Sequence, residues 1–242
     1  MDKRFFVEEK DYKIGDEVVI EGEENKHLAL VLRLKVNDII DCLPNNNNVL
    51  ICEILSISKN KTVAIVKEII YAPNSLNNVD VFVGNLKGDK NEFLIQKLSE
   101  LGVNKITFFE SKFVTAKIVK DKSERNEKIA LTSAKQCKRN KTIEIGKGIS
   151  FKNLVQELQE YDKVLVAYEN EKTTSLNNIE ISCDDKIAVV IGSEGGFAEE
   201  EIDVFKDNNF SSISLGKRIL KAETAGIVFT SLVMFKLGEL GK

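Results

Sequence analysis

From residue 79 to residue 240 the chain repeats one rhythm, a short apolar run and then an amphipathic stretch, and no other feature restricts the fold as much. Extended runs at 79–84, 105–109, 163–168, 186–191 and 211–215 are interleaved with helical patterns at 89–101, 123–137, 154–159, 199–208 and 224–240. Strands separated by helices pair in parallel, because a crossover that holds a helix returns the chain to the same end of the sheet. This part of the chain is therefore expected to be α/β, a largely parallel sheet covered by helices. Gly102, directly after the first helical pattern, supplies the left-handed stop that a helix end favours.

The first 72 residues follow a different rule. Extended runs at 4–7, 17–20, 38–43, 49–57 and 62–70, separated by Gly, Asn and Lys turns, predict a small β-barrel or sandwich. Pro44 and the run Asn45 to Asn48 read as a hairpin tip, since Asn tolerates left-handed backbone. Leu28, Val31, Leu32 and Leu34 predict one short helix between Asn25 and Lys35, with Arg33 and Lys35 near its end and His27, the only histidine, at its start. The stretch Ala72-Pro73-Asn74-Ser75-Leu76-Asn77-Asn78 reads as a linker, which sets two domains at 1–72 and 73–242. A chain of 242 residues has room for both.

Composition removes several classes of protein. With 43% hydrophobic and 30% charged residues the chain is neither disordered nor fibrous. The uncharged run 224–235 falls well short of the roughly 20 apolar residues that span a bilayer. The first residues are too charged for a secretory signal. Cys42, Cys52, Cys137 and Cys183 are scattered without a C-x-x-C pair, which argues against a metal site and a disulfide framework and for a reducing cytoplasm. Charge is unevenly spread: residues 112–141 carry ten basic and three acidic side chains, +7 in a chain of −3, which leaves −10 for the rest. A polyanion suits such a strip, and a solvated lysine-rich helix face is the plain alternative.

In an open parallel sheet, ligands bind beyond the carboxyl ends of the strands. Three junctions stand there: Ala167-Tyr168-Glu169, residues 192–197 and residues 215–225. The second places Gly192, Gly195 and Gly196 in five positions, so that the main chain can turn sharply and approach a ligand closely. A tight strand-to-helix turn is the plain alternative. The loop is not G-x-G-x-x-G, and G-x-x-x-x-G-K-[ST] is absent, which disfavours a dinucleotide site and a P-loop. His27 lies in the other domain, so a core or interface role is expected for it and serine–histidine catalysis is disfavoured.

These loops carry a family likeness. Gly192-Ser193-Glu194-Gly195-Gly196-Phe197, Ser214-Leu215-Gly216-Lys217-Arg218-Ile219-Leu220-Lys221-Ala222-Glu223-Thr224-Ala225, Lys87-Gly88-Asp89-Lys90, Gln96-Lys97 with Glu100-Leu101-Gly102-Val103, and Arg4-Phe5-Phe6-Val7 resemble the ribosomal RNA small subunit methyltransferase E family, which methylates N3 of one uridine in 16S rRNA. The resemblance runs in order through nearly the whole chain and includes His27-Leu28 with Val31-Leu32-Arg33. It implies a SPOUT-type methyltransferase domain closed by a trefoil knot, an exception to the rule that chains avoid knots, behind a PUA-like β-barrel. It further implies a cytoplasmic homodimer, S-adenosylmethionine as methyl donor, and 16S rRNA of the small ribosomal subunit as partner.

Laid over the three junctions, the resemblance points to Ala167, Tyr168, Glu169, Ile191, Gly192, Glu194, Gly195, Gly196, Leu215, Gly216, Ile219, Leu220 and Ala225 as donor-binding residues. The proton on uridine N3 calls for a base or for cations that stabilise the anion; Glu194 or Glu223 as base and Arg218 as cation are the candidates, and main-chain N–H capping by a glutamate and phosphate binding by Arg218 are the plain alternatives. RNA capture is expected of Arg4, Arg33, Lys87, Lys90, Lys112, Lys138 and Arg139. The chain departs from the family's usual residues at Ser193 (proline), Lys221-Ala222 (Arg-Thr), Lys26 (histidine) and Ala198 (a capping serine); Lys221 in particular lacks arginine's bidentate fork. Two rival readings stand beside this one: a non-catalytic RNA-binding ribosome-assembly factor, and a SPOUT methyltransferase acting on tRNA or on a ribose 2′-hydroxyl.

Overall fold

A computed structural model describes residues 3–71, 78–114 and 123–241. The chain divides into two compact units, Met1–Asn74 with Ala134–Thr142, and Ser75–Ser133 with Ile143–Lys242. Most of the expected linker, 72–77, and Lys117, Lys120, Asp121 and Lys122 of the basic segment lie outside the described residues.

The first unit is built on β1 (Arg4–Phe6), β2 (Glu17–Glu21), β3 (Ile39–Leu43), β4 (Val49–Ile57) and β5 (Lys61–Ile70), ordered β1-β3-β4-β5-β2. β1 runs parallel to β3, and the other neighbours are antiparallel. Side chains alternate across a strand, and the inward set, including Phe5, Val18, Ile40, Leu50, Ile54 and Val66, closes one core. No ladder joins β1 to β2 among the described residues, so the expected barrel is open at that seam. Asn45 (φ 58°) and Asn47 (φ 70°) adopt the left-handed backbone expected of the tip. They also tie down a segment from far along the chain: Thr142 N–H donates to Asn45 Oδ1 at 2.8 Å and Asn140 Nδ2 to Asn47 O at 3.1 Å.

The helix of this unit differs from the expected 25–35. A short α1 (Gly22–Lys26) runs into a π-helical turn, His27–Val31, in which Leu32 N–H donates to His27 O at 2.9 Å. The wider turn directs Leu28, Leu32 and Leu34 to the core and leaves Leu30 and Val31 exposed. Arg33 lies past the helix, in left-handed backbone at φ 52°. His27 is exposed rather than in the core, with its ring 6.2 Å from that of Phe5.

The second unit holds β6 (Asn78–Gly84), α2 (Lys90–Glu100), β7 (Lys105–Glu110), α3 (Ser123–Gln136, whose last residues enter the first unit), β8 (Glu144–Ile145), β9 (Ile149–Ser150), α4 (Phe151–Leu158), β10 (Lys163–Ala167), β11 (Lys186–Ile191), α5 (Glu199–Asp207), β12 (Ser211–Ile213) and α6 (Ala222–Lys236). The sheet runs β12-β10-β11-β6-β7-β8, with β9 beside β7, and every pairing is parallel. β8 and β9 are two residues each, too short for a sequence pattern to show.

Both faces of the central strands are buried. On one face Val79, Val81 and Val83 of β6 and Ile187, Val189 and Ile191 of β11 meet Leu94 and Leu98 of α2 and Phe229 and Val233 of α6. On the other, Phe82, Ala188 and Val190 meet Leu154 and Leu158 of α4 and Ile202 and Phe205 of α5. This double burial explains why these strands read as unbroken apolar runs. All four cysteines are free thiols, and no helix among the described residues is long and apolar enough to cross a membrane.

Phe205 is fully buried, with ring centroids 5.2, 5.3 and 6.1 Å from those of Phe151, Phe197 and Phe210. Phe205→Ala is expected to cost about 3–5 kcal/mol in urea unfolding. The exposed neighbour Lys206, changed to Ala, is expected to stay within about 0.5 kcal/mol of the wild type.

Candidate functional site

β10, β11 and β12 end at Ala167, Ile191 and Ile213, on the same edge of the sheet. The segments that follow, 167–169, 191–197 and 214–223, line one cavity of about 420 Å³, completed by Lys90 and Ala225. Its volume lies within the roughly 300–1,000 Å³ of small-molecule sites. Every donor-binding residue inferred from the sequence lines it, from Ala167 to Ala225, and so do Arg218, Glu194 and Glu223. Within that lining the side chains differ in role. Leu215 and Leu220 pack on the core, whereas Ile219 is 86% exposed.

The glycine loop is shaped by main-chain contact. The end of β6 passes so close that a Cβ on Gly84 would lie 2.5 Å from Ser193 N. Gly196 N–H donates to Ser193 O at 2.9 Å and closes the turn, with Gly196 at φ 68°. Its left-handed backbone favours glycine, and a Cβ there would meet Glu169 Oε1 at 2.6 Å, so the exposed Glu169 side chain would have to move. Ala198 gives α5 no side-chain cap, and the reciprocal half of a capping box remains: Glu201 Oε2 accepts from Ala198 N–H at 2.9 Å, and its Oε1 accepts from Lys112 N–H at 2.8 Å.

Charge on the wall is organised around Lys90. This is the first residue of α2, where a cation opposes the helix dipole, so its place there needs nearby anions. Its Nζ lies 2.8 Å from Glu194 Oε1 and 3.9 Å from Glu223 Oε2. Glu194 Oε1 also accepts the Lys87 N–H at 3.1 Å. Burial works to raise the Glu194 carboxyl, but the Lys90 hydrogen bond and main-chain N–H groups outweigh it and hold it below its usual range. The bond to Glu194 likewise raises the Lys90 ammonium, which burial alone would lower. Glu223 Oε2 is buried and accepts no hydrogen bond among the described residues. Lys90 belongs to the set expected to capture RNA, and its position just after the carboxyl end of β6 is the signal that marks it also as a cavity residue.

A family model described as "RNA methyltransferase domain" matches residues 72–234, and one described as "RNA methyltransferase PUA domain" matches residues 20–67. The chain is 32% identical to ribosomal RNA small subunit methyltransferase E of Bacillus subtilis (strain 168), over 97% of this chain and 96% of that one. It is 35% identical to the Mesomycoplasma hyopneumoniae (strain 232) protein of the same name, over 93% and 95%. The chain belongs to the ribosomal RNA small subunit methyltransferase E family. A crystal structure of the methyltransferase E from Neisseria gonorrhoeae, bound to S-adenosyl methionine, has the same fold, with a TM-score of 0.84 over 98% of both chains at 23% identity. The α/β domain is thus of the SPOUT kind, behind a PUA-like domain.

In this methyltransferase E family member the residues expected to capture RNA divide between the units. In the first, the Arg4 guanidinium donates to Lys138 O at 2.8 Å and to Asn140 Oδ1, and lies 3.7 Å from Asp41. It braces the 134–142 segment. Arg139 is half-buried, and burial lowers its guanidinium from the ordinary value. Arg33 and Lys138 are exposed. In the second unit Lys87 is exposed, Lys90 is in the cavity and Lys112 pairs with Glu200 at 3.1 Å. The basic segment is also partly neutralised, since Arg125 pairs with Glu92 and Lys135 with Glu24.

The Glu194 pairing has a signed consequence for stability. Its folded carboxyl titrates below the usual 4.5, so its contribution is full above that value and is lost as pH falls through the lower, folded one. Urea unfolding of wild type and Glu194→Gln is expected to differ at neutral pH and to converge in acid; a constant difference down to pH 2 would refute the pairing.

Proposed function

We propose that this protein transfers a methyl group from S-adenosylmethionine to N3 of a uridine in 16S rRNA. The observation that carries the reading is the convergence of three strand-end segments on one cavity of about 420 Å³, in a chain of the methyltransferase E family. The residues present suit the donor. Glycine main chain at 192, 195 and 196, apolar Leu215 and Leu220 and several polar groups line the same cavity. Main-chain groups of Gly192, Gly195, Leu215 and Leu220 are the ones to hold the donor, with Ile219 and Leu220 flanking its adenine.

When bound, the donor supplies an electrophilic methyl group on a positively charged sulfur. The chain's own task is alignment and electrostatics. Uridine N3 carries a proton, and Glu194 and Glu223 bring carboxylates to the cavity wall while Arg218 brings an exposed cation. Residues 1–72 serve as the RNA-binding domain, where Arg33 offers phosphate contact without sequence readout. The small ribosomal subunit and a second copy of the chain are the partners, in the cytoplasm. Leu232 (44% exposed) and Phe235 (63% exposed) on α6 support the dimer reading.

Mass spectrometry of 16S rRNA from cells lacking and then regaining the protein tests the reading. N3-methyluridine is expected to vanish and return; an unchanged 16S rRNA beside a methyl lost from tRNA or from a ribose would overturn it. Calorimetry is expected to show S-adenosylmethionine binding, and no binding would favour the non-catalytic assembly factor. Light scattering is expected to give a dimer mass that Phe235→Glu reduces to a monomer.

A further inference from the structure

Two carboxylates flank Lys90 on the cavity wall, and the fold treats them differently. Glu194 Oε1 is committed twice, to Lys90 Nζ at 2.8 Å and to the Lys87 N–H at 3.1 Å. Glu223, in the first turn of α6, has a side chain only 18% exposed. Its Oε2 is buried without a hydrogen bond among the described residues, 3.9 Å from the same ammonium. A buried acceptor without a donor is costly unless whatever binds there brings one. The N3–H of a uracil ring is such a donor.

We propose that Glu223 Oε2 takes the N3 proton of the target uridine, and that Lys90, clamped by Glu194 and 3.9 Å from that oxygen, is its positioning cation. The inference rests on the functional reading above and divides the labour between the two carboxylates. As the proton passes from N3 to Glu223 Oε2, the N3 electron pair so freed forms the bond to the methyl carbon. The carbon–sulfur pair returns to sulfur, which is left neutral.

Glu194 suits the acceptor's role poorly, because two donors already satisfy its Oε1 and its carboxyl is held below the usual range. Lys90 is no base either, since its bond to Glu194 keeps it protonated. An ammonium engaged in this way is less available to phosphate. The other charged groups on the wall are Glu169, Lys217, Arg218 and Lys221. Lys90 is the cation that the structure brings within 4 Å of Glu223.

Single-turnover methyl transfer measured against pH, beside calorimetric affinity for S-adenosylmethionine, tests the assignment. Glu223→Gln is expected to lower the rate about 100-fold or more and to abolish the acid limb, with donor affinity kept within about threefold. Glu223→Asp is expected to regain part of the rate. Lys90→Met is expected to lower the rate with donor affinity kept, because Glu223 loses the cation beside its Oε2, and Lys90→Arg to restore part of it. Glu194→Gln is expected to retain an acid limb. A Glu223→Gln protein that turns over like the wild type with the same acid limb would overturn this inference and leave the functional reading standing. A wild type that neither binds the donor nor methylates RNA would overturn both.

Discussion

The site depends on a main-chain contact. β6 and the loop after β11 pass so closely that the Cβ of any residue but glycine at 84 would strike Ser193 N. That approach is possible because β6 and β11 are neighbours in register, Val83 opposite Ile191, with both faces of the pair packed by helices. The double burial fixes where β11 ends, and the end of β11 fixes where the glycine loop begins. Each apolar side chain taken fully out of water in these strands contributes about 1.5–3 kcal/mol before entropy is counted. The loops are seated on this scaffold in turn: Ser193 and Phe197 are buried, and Leu215 and Leu220 pack on the core.

Electrostatics adds the second layer. Carboxyls elsewhere in the unit are also perturbed. At the opposite edge of the sheet burial raises the Asp80 carboxyl, whose Oδ2 accepts from Tyr161 OH at 2.6 Å. Asp80 is the third residue of β6, near the strand end away from Gly84, and does not line the cavity described above. Perturbation alone therefore does not mark a site; perturbation at the carboxyl edge, beside a cavity, does. Lys90 and Glu194 meet both conditions; with Glu223, 3.9 Å from the same ammonium, they come from α2, the glycine loop and α6, so that the fold must be complete before they meet.

Much of this was legible in the sequence. The parallel sheet followed from strands separated by helices, and the three cavity segments followed from the rule that ligands sit beyond strand ends. Gly102, at φ 91°, ends α2 as its position after the helical pattern implies. What was not legible depends on partners remote in sequence. The π-helical turn at His27–Val31 arises from packing Leu28 and Leu32 on the first unit's core, which local periodicity does not record. Arg4 looked like a phosphate contact because its charge is visible and its partners, 134 and 136 residues away, are not. The +7 segment lost much of its apparent strength in the same way, through Glu24, Glu92 and Glu200.

The central claim is that glycine-loop main chain and the 214–223 loop together hold the methyl donor. Hydrogen exchange of main-chain amides, followed by mass spectrometry with and without S-adenosylmethionine, tests it most directly. Slower exchange concentrated in residues 191–197 and 214–223 is the predicted result. Exchange that is unchanged in both segments, or slowed only in residues 3–71, would contradict the account.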